Sequence, residues 1–234
     1  MANQTELRSR EEESFRLTYS PIERLISVTN PNGTPFTGIF KQASTQYPVR
    51  AVVDINSVCN ARCEYCSQAD KHDGPSLTKD EVLAIIDELE EMKVFELTLR
   101  GGEASIHPDF NEIWRYATTR NFLSTNIITN GINLTEDRVT EMIENPKSKL
   151  IISLDGPDVI NSVHRDPRQY TSVMAWLQKF LPEHQDQFVI LSTLYRENLP
   201  HIPDFASFLS GIGLKHYHVT TLKRMGGSEF KKAG

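Results

Sequence analysis

Three cysteines, Cys59, Cys63 and Cys66, fall inside the run CNARCEYC, and the 234-residue chain has no others. Structural zinc sites and ordinary iron–sulfur clusters take four protein ligands, so a set of three leaves one coordination position that no cysteine can fill. Two chemistries are open. Three thiolates can hold three irons of a four-iron, four-sulfur cluster and leave the fourth iron to an external ligand, which suits catalysis. The plainer reading is a zinc site completed by His72 or another histidine, although such sites usually repeat a Cys-x-x-Cys pair and no second pair exists here.

Other polar clusters lie downstream. In RGGEAS, Gly101 and Gly102 let the backbone approach a ligand closely, and Glu103 offers an acceptor for an ammonium group. TNG (Thr129, Asn130, Gly131) and SLDG (Ser153, Leu154, Asp155, Gly156) carry further polar groups, with ordinary turn chemistry as the bland alternative.

These clusters need a scaffold that gathers them. From Val49 onward, short β-branched runs alternate with helix-period segments, the pattern of βα units on a parallel sheet. The runs VRAVVDI, VFELTL, LSTNIIT, SKLIISL, FVILSTL and HYHVTTL, starting at 49, 94, 123, 148, 188 and 216, read as strands. The clearest helix follows Thr78, which forms a capping box with Glu81 and aligns Val82, Ile85, Ile86, Leu89 and Met92 on one face. Asp109 and Glu112 repeat that spacing before a stripe of Ile113, Trp114 and Ala117. Right-handed crossovers curl such a sheet into a barrel or part of one, with every strand-to-helix loop at one end. The cysteine run and the three polar clusters follow the first four of these strands, so they should converge on one mouth.

The three-then-two spacing of the cysteines, with Tyr65 just before the third, resembles the cluster motif of the radical S-adenosylmethionine enzymes. The resemblance covers roughly residues 49 to 222. It implies a partial (β/α)6 TIM-like barrel in the α/β class, a [4Fe–4S] cluster on Cys59, Cys63 and Cys66, and S-adenosylmethionine as the missing ligand. One electron from the reduced cluster then cleaves the sulfonium, and the 5′-deoxyadenosyl radical removes hydrogen from a substrate. It also implies cofactor contacts from Tyr65, Gly101, Gly102, Glu103, Asn130, Ser153 and Asp155, and an external electron donor of the flavodoxin or ferredoxin type. Arg165 lies where relatives carry an arginine that reaches the cofactor, with a surface arginine as the alternative; Ser192 or Thr193 is a further polar candidate, and His72 and His164 read as ordinary polar residues.

The motif style is nearest the branch that modifies peptides or matures cofactors, which makes a peptide, or a partner that closes the barrel, the expected substrate or partner. A rival within enzymes is an activating or cofactor-building enzyme acting on a protein glycine or a small heterocycle. A rival outside them is a non-catalytic zinc or iron–sulfur module. Many members of that branch continue into a Cys-rich C-terminal part, whereas no cysteine follows Cys66 here, so a partner or longer chain is expected to cover the mouth.

Composition narrows the partners. A net charge of −6, from 25 basic and 31 acidic side chains of both signs along the chain, argues against a general grip on nucleic acid. The start MANQTELRSREEESF has no apolar core and no later run is long enough to span a bilayer, so the expectation is a cytoplasmic protein without a membrane segment. We divide the chain into an N-terminal extension (1–48) with a hairpin about Asn32-Gly33, a core (49–222), and a tail (223–234) with Lys223, Arg224, Lys231 and Lys232.

Overall fold

The computed structural model describes residues 8–11, 16–20, 25–29, 32, 34, 47–66, 74–132 and 134–222. Strands β1 (Arg8–Glu11), β2 (Arg16–Ser20) and β3 (Leu25–Thr29) pair antiparallel in chain order. β3 falls where the first arm of the expected hairpin about Asn32-Gly33 would lie, whereas β1 and β2 lie where no strand is expected; the second arm lies outside the described residues. Arg10 of β1 is buried, donates to the carbonyls of Tyr47 (2.8 Å), Pro48 (2.9 Å) and Lys93 (3.3 Å), and sits over the Phe95 ring. It thereby ties this small sheet to the main one.

The main sheet has six parallel strands in sequence order: β4 (Arg50–Asn56), β5 (Glu96–Gly101), β6 (Ser124–Thr129), β7 (Ser148–Ser153), β8 (Phe188–Leu194) and β9 (His216–Thr221). Each overlaps an expected run to within two residues at either end. β4 and β9 do not pair, so the sheet is an open part-barrel, as expected. Between the strands run α1 (Lys79–Glu91), α2 (Phe110–Thr119), α3 (Glu136–Glu144), α4 (Asp158–Asn161), α5 (Arg168–Phe180) and α6 (Ile202–Gly211).

The Thr78–Glu81 capping box forms in both directions at the start of α1. Asp109 does not cap α2 despite the same spacing: its side chain makes no cap bond, and its N–H donates to Nδ1 of His107. The Ile113, Trp114 and Ala117 stripe is nonetheless buried, because packing rather than capping places it.

One face of the sheet meets the helices. Leu97, Leu99, Ile127, Leu150, Ile152, Phe188 and Ile190 on that face are all fully buried. Of the residues that alternate with them, Thr98, Asn126 and Val189 are buried as well, whereas Arg100, Ile128, Ile151, Ser153 and Leu191 keep part of their surface in water. A closed barrel would fill that interior with its own side chains; this open one leaves it as a lined groove. Among the described residues no helix is long and apolar enough to cross a membrane.

Candidate active site

The loop after β4 carries the three cysteines, and it is fastened from every side. At its start, Gly102 N–H donates to Asn56 O (2.9 Å) and Glu103 N–H to Val58 O (2.8 Å). The two glycines make this approach possible: a Cβ on Gly101 would meet Asn56 O at 2.3 Å, and one on Gly102 would meet Ser57 O at 2.4 Å. The close approach expected of them is therefore made, in this structure, to the backbone of the cysteine loop. Further along, Asn130 Nδ2 donates to Asn60 Oδ1 (2.7 Å) and lies 3.8 Å from Cys59 Sγ, while Asn60 Nδ2 donates to Ile132 O (3.1 Å). Arg168 Nη2 reaches Asn60 O (3.2 Å), and Glu64 N–H donates to His164 O (3.0 Å).

Glu103 is buried at the end of β5. Its Oε1 accepts from Ser105 N–H (3.1 Å), Ser105 Oγ–H (2.6 Å) and Thr129 Oγ1–H (2.7 Å), and Oε2 accepts from Asn130 N–H (2.7 Å). Burial pushes its carboxyl above the ordinary range, against the pull of those donors. The side chain thus brackets the turn at the end of β6, where Gly131 takes a positive φ of 75°.

Asp155 forms the second bracket. It is fully buried and pairs with Arg165 through Nε (2.6 Å) and Nη2 (3.1 Å), with Arg165 itself almost wholly covered. Tyr65 OH donates to its Oδ2, Thr193 N–H donates to its Oδ1 (2.8 Å), and the Arg165 guanidinium lies 5.2 Å from the Tyr65 ring centroid. Burial, opposed by Arg165, pushes the Tyr65 phenol up, so it stays a donor. Arg165 is therefore an internal counter-ion and not a surface arginine. A buried pair of this kind carries a desolvation cost that only good geometry and added hydrogen bonds offset, and both are present.

Several residues here carry no motif. Gln169 Nε2 donates to both Asn130 O (2.9 Å) and Ser153 O (2.7 Å), joining the ends of β6 and β7. Asn161 Oδ1 accepts from Asp155 N–H (2.9 Å), and Asn198 Nδ2 donates to Asp155 O (3.0 Å) and Thr193 O (2.8 Å). No sequence signal marks a buried amide that braces two loops, since Asn and Gln read as turn or surface residues.

The other candidates separate. Ser153 is half-exposed on the inner face at the end of β7. Ser192 is buried on the helix side, donating to Leu154 O (2.5 Å) and accepting from Tyr217 OH (2.9 Å), so the structure places it in packing; Thr193 meets the site through its backbone. His164 is set between Glu64 (2.8 Å from Nδ1) and Glu197 (3.6 Å from Nε2), with its ring edge-on to Tyr195. His72 lies outside the described residues.

The donor set suits an iron–sulfur cluster. Cys59, Cys63 and Cys66 form no disulfide, lie in one loop and are only partly covered. Burial pushes the Cys59 and Cys63 thiols up; Arg165 opposes it at Cys63. Cluster binding must therefore displace protons from them. Among the described residues no group of three His, Cys, Asp or Glu is gathered as a site for one ion; thiolates that bind separate irons need not share a point.

A parallel part-barrel with a three-thiol loop at its mouth defines a class of cluster enzymes, and the chain belongs to one: the Radical SAM superfamily, whose model matches residues 53–209. Members use a [4Fe–4S] cluster and S-adenosylmethionine. The chain is 29% identical over 168 residues to mycofactocin maturase MftC of Mycobacterium tuberculosis, covering 71% of this chain and 43% of the relative. It is 28% identical to the PqqA peptide cyclase of Bradyrhizobium diazoefficiens, over 70% and 45% of the two chains. Among solved structures, Streptococcus suis SuiB bound to precursor peptide SuiA superposes with a TM-score of 0.71 at 16% identity, covering 81% of this chain and 43% of that one, a likeness of fold. The chain thus spans less than half the length of these relatives.

Proposed function

We propose that this chain holds a four-iron cluster on Cys59, Cys63 and Cys66, binds S-adenosylmethionine at the open iron, and starts radical chemistry on a peptide or cofactor precursor. The convergence of the cysteine loop with the ends of β5, β6 and β7 supports this reading most directly. A cluster held by Cys59, Cys63 and Cys66 would supply one-electron reduction of the S-adenosylmethionine sulfonium, the chemistry that yields methionine and a 5′-deoxyadenosyl radical. An external one-electron donor of the flavodoxin or ferredoxin type would provide the electron, in a reducing cytosol.

The chain's own residues divide the remaining work. Gly101 and Gly102 seat the cysteine loop against β5. Glu103 positions the 129–131 turn, and Oε2, which takes one donor against three at Oε1, is the acceptor left for the cofactor ammonium. Ser153 and Asn130 offer polar groups at the mouth. Asp155 acts through others, holding Tyr65 and Arg165, because both of its oxygens are already taken by Arg165, Tyr65 and Thr193 N–H. The maturase and cyclase names of the relatives favour a peptide substrate over a free heterocycle.

The test is anaerobic reconstitution. The protein should take up about four irons, Cys63→Ala should fail to assemble a stable cluster, and the reduced wild type should convert S-adenosylmethionine to 5′-deoxyadenosine. Stoichiometric zinc with no iron uptake would sink the proposal.

A further inference from the structure

The cysteines do not stand in equivalent surroundings. Cys59 Sγ accepts from Ala61 N–H (3.4 Å), lies 3.8 Å from Asn130 Nδ2, and is on the side of the buried Glu103 carboxyl. Cys63 is on the other side, against the segment between β7 and α5. The bond from Glu64 N–H to His164 O (3.0 Å) stitches the two segments together, which brings Cys63 and Arg165, the chain neighbours of the bonded residues, close to each other. Tyr65 packs in the same place, with the Arg165 guanidinium 5.2 Å from its ring centroid and its OH donating to Asp155. The charges are felt at the thiol: burial raises Cys63 most, Arg165 is the next influence and lowers it, and Cys66 and Asp155 raise it more weakly.

Arg165 keeps 8% of its side chain in water and Asp155 none. A buried pair is often no more stabilising than apolar residues of the same volume, so fold stability does not account for a charge placed beside the thiols. Its electrostatic reach does. Glu64 and Arg168 are 66% and 60% exposed, and water and salt screen them. A covered guanidinium is screened far less, and at the effective dielectric of such sites one unit charge a few ångströms from another changes an equilibrium by more than about tenfold. The equilibrium in question is reduction. A [4Fe–4S] cluster gains one negative charge when it accepts an electron, and its potential responds to nearby net charge, hydrogen bonds to its sulfurs and exposure.

We propose that the Arg165–Asp155 pair sets the reduction potential of the cluster on the cysteine loop: the Arg165 charge, acting beside Cys63, favours the reduced state, and Asp155 moderates it. This rests on the cluster reading above. Arg165 is a positioning residue in the electrostatic sense, since it acts through Cys63, and the step it biases is the gain of one electron from an external donor with no bond or proton exchanged.

The experiment is a reductive titration of the reconstituted protein without S-adenosylmethionine, followed by EPR, with iron content measured for each variant. At the wild-type midpoint, Arg165→Met should lower the ratio of reduced to oxidised cluster about tenfold, a downward shift of about 59 mV for one electron. Arg165→Lys keeps the charge and should stay within about threefold of wild type. Asp155→Asn should move the ratio the other way, upward by about threefold, because the moderating charge is gone. Asp155→Asn/Arg165→Met leaves no unpaired buried charge, so it gives a reading even where a single variant folds poorly, and it should fall between wild type and Arg165→Met. Arg115→Gln, at an arginine 64% exposed on α2, is the control and should read as wild type. A purely structural role would loosen the loop in both single variants and move them in one direction. Shifts of one sign for Arg165→Met and Asp155→Asn, a Lys variant displaced as far as the Met variant, or a double variant at or above the wild-type midpoint overturns the inference. So does lost S-adenosylmethionine affinity in Arg165→Met with an unmoved midpoint, which assigns Arg165 to the cofactor. Four irons bound without this ordering fails the inference alone, whereas no iron uptake by the wild type fails the cluster reading and the inference with it.

Discussion

The two sides of the main sheet solve the problem of burial in opposite ways. On the helix side, aliphatic and aromatic groups disappear from water completely, and their contribution is generic: about 25 cal/mol for each Å² of apolar surface removed. At the mouth, buried groups are polar: Glu103, Asn130, Asp155, Asn161, Gln169 and Asn198 are all covered, and each is held by named donors and acceptors. The first kind of burial tolerates substitution by residues of similar size. The second does not, because a buried polar group stripped of its partner retains the full cost of desolvation. Fold and site thus fail by different mechanisms.

The largest effect should come from cutting the mouth's ion pair. Arg165→Ala leaves Asp155 charged, buried and short of its counter-ion, and should cost about 3–5 kcal/mol of unfolding free energy in denaturant titration. Removing both partners in Asp155→Ala/Arg165→Ala should cost less than the two single changes added together. A cost below about 1 kcal/mol for Arg165→Ala would place the pair with surface ion pairs and erase the contrast between the two sides.

A smaller effect sharpens the contrast across one sheet. Leu99→Ala, on the helix side, should cost about 2–5 kcal/mol, whereas Ile151→Ala, facing the groove, should cost about 1 kcal/mol because much of its area is already in water. Equal costs in the same titration would mean that the groove is packed and not open.

The smallest effect concerns Glu103. Glu103→Gln keeps the shape but turns an NH2 toward a donor, for a cost of about 1–3 kcal/mol. Burial raises the folded-state carboxyl above its ordinary 4.5. Protonation therefore stabilises the fold at low pH, and that contribution is lost as pH rises through the folded value. The stability of wild type relative to Glu103→Gln should accordingly fall as pH increases from 4.5 upward; a rise over that interval would mean that the four donors outweigh burial.

Much of this was readable before any coordinates. Period-2 and period-3.6 patterns place six strands and the capping box at Thr78, because local hydrophobic spacing and capping are properties of a few consecutive residues. The cysteine spacing, equally local, points to the family that the chain belongs to. Where the pattern misleads, a tertiary partner intervenes: Asp109 has the spacing of a cap, yet its N–H is taken by His107. Strands β1 and β2 escape notice because RSRE and RLTYS are short and mostly polar, and the Arg10 contacts that tie β1 to the main sheet lie up to 83 positions away.

The sequence by itself singled out the three cysteines as the proposed metal ligands and determined which runs become the strands of the main sheet and that the polar clusters follow strand ends. Only the tertiary structure decided what those clusters touch. Gly101 and Gly102 are small because the cysteine loop presses on them, Asp155 is a bracket and not an open ligand, and Gln169 joins two strand ends across 39 and 16 residues of chain. The physical reason is range. Propensity and periodicity act over a turn or a few strand residues, whereas the partner of a buried polar group is whichever residue the closed topology brings within about 3 Å.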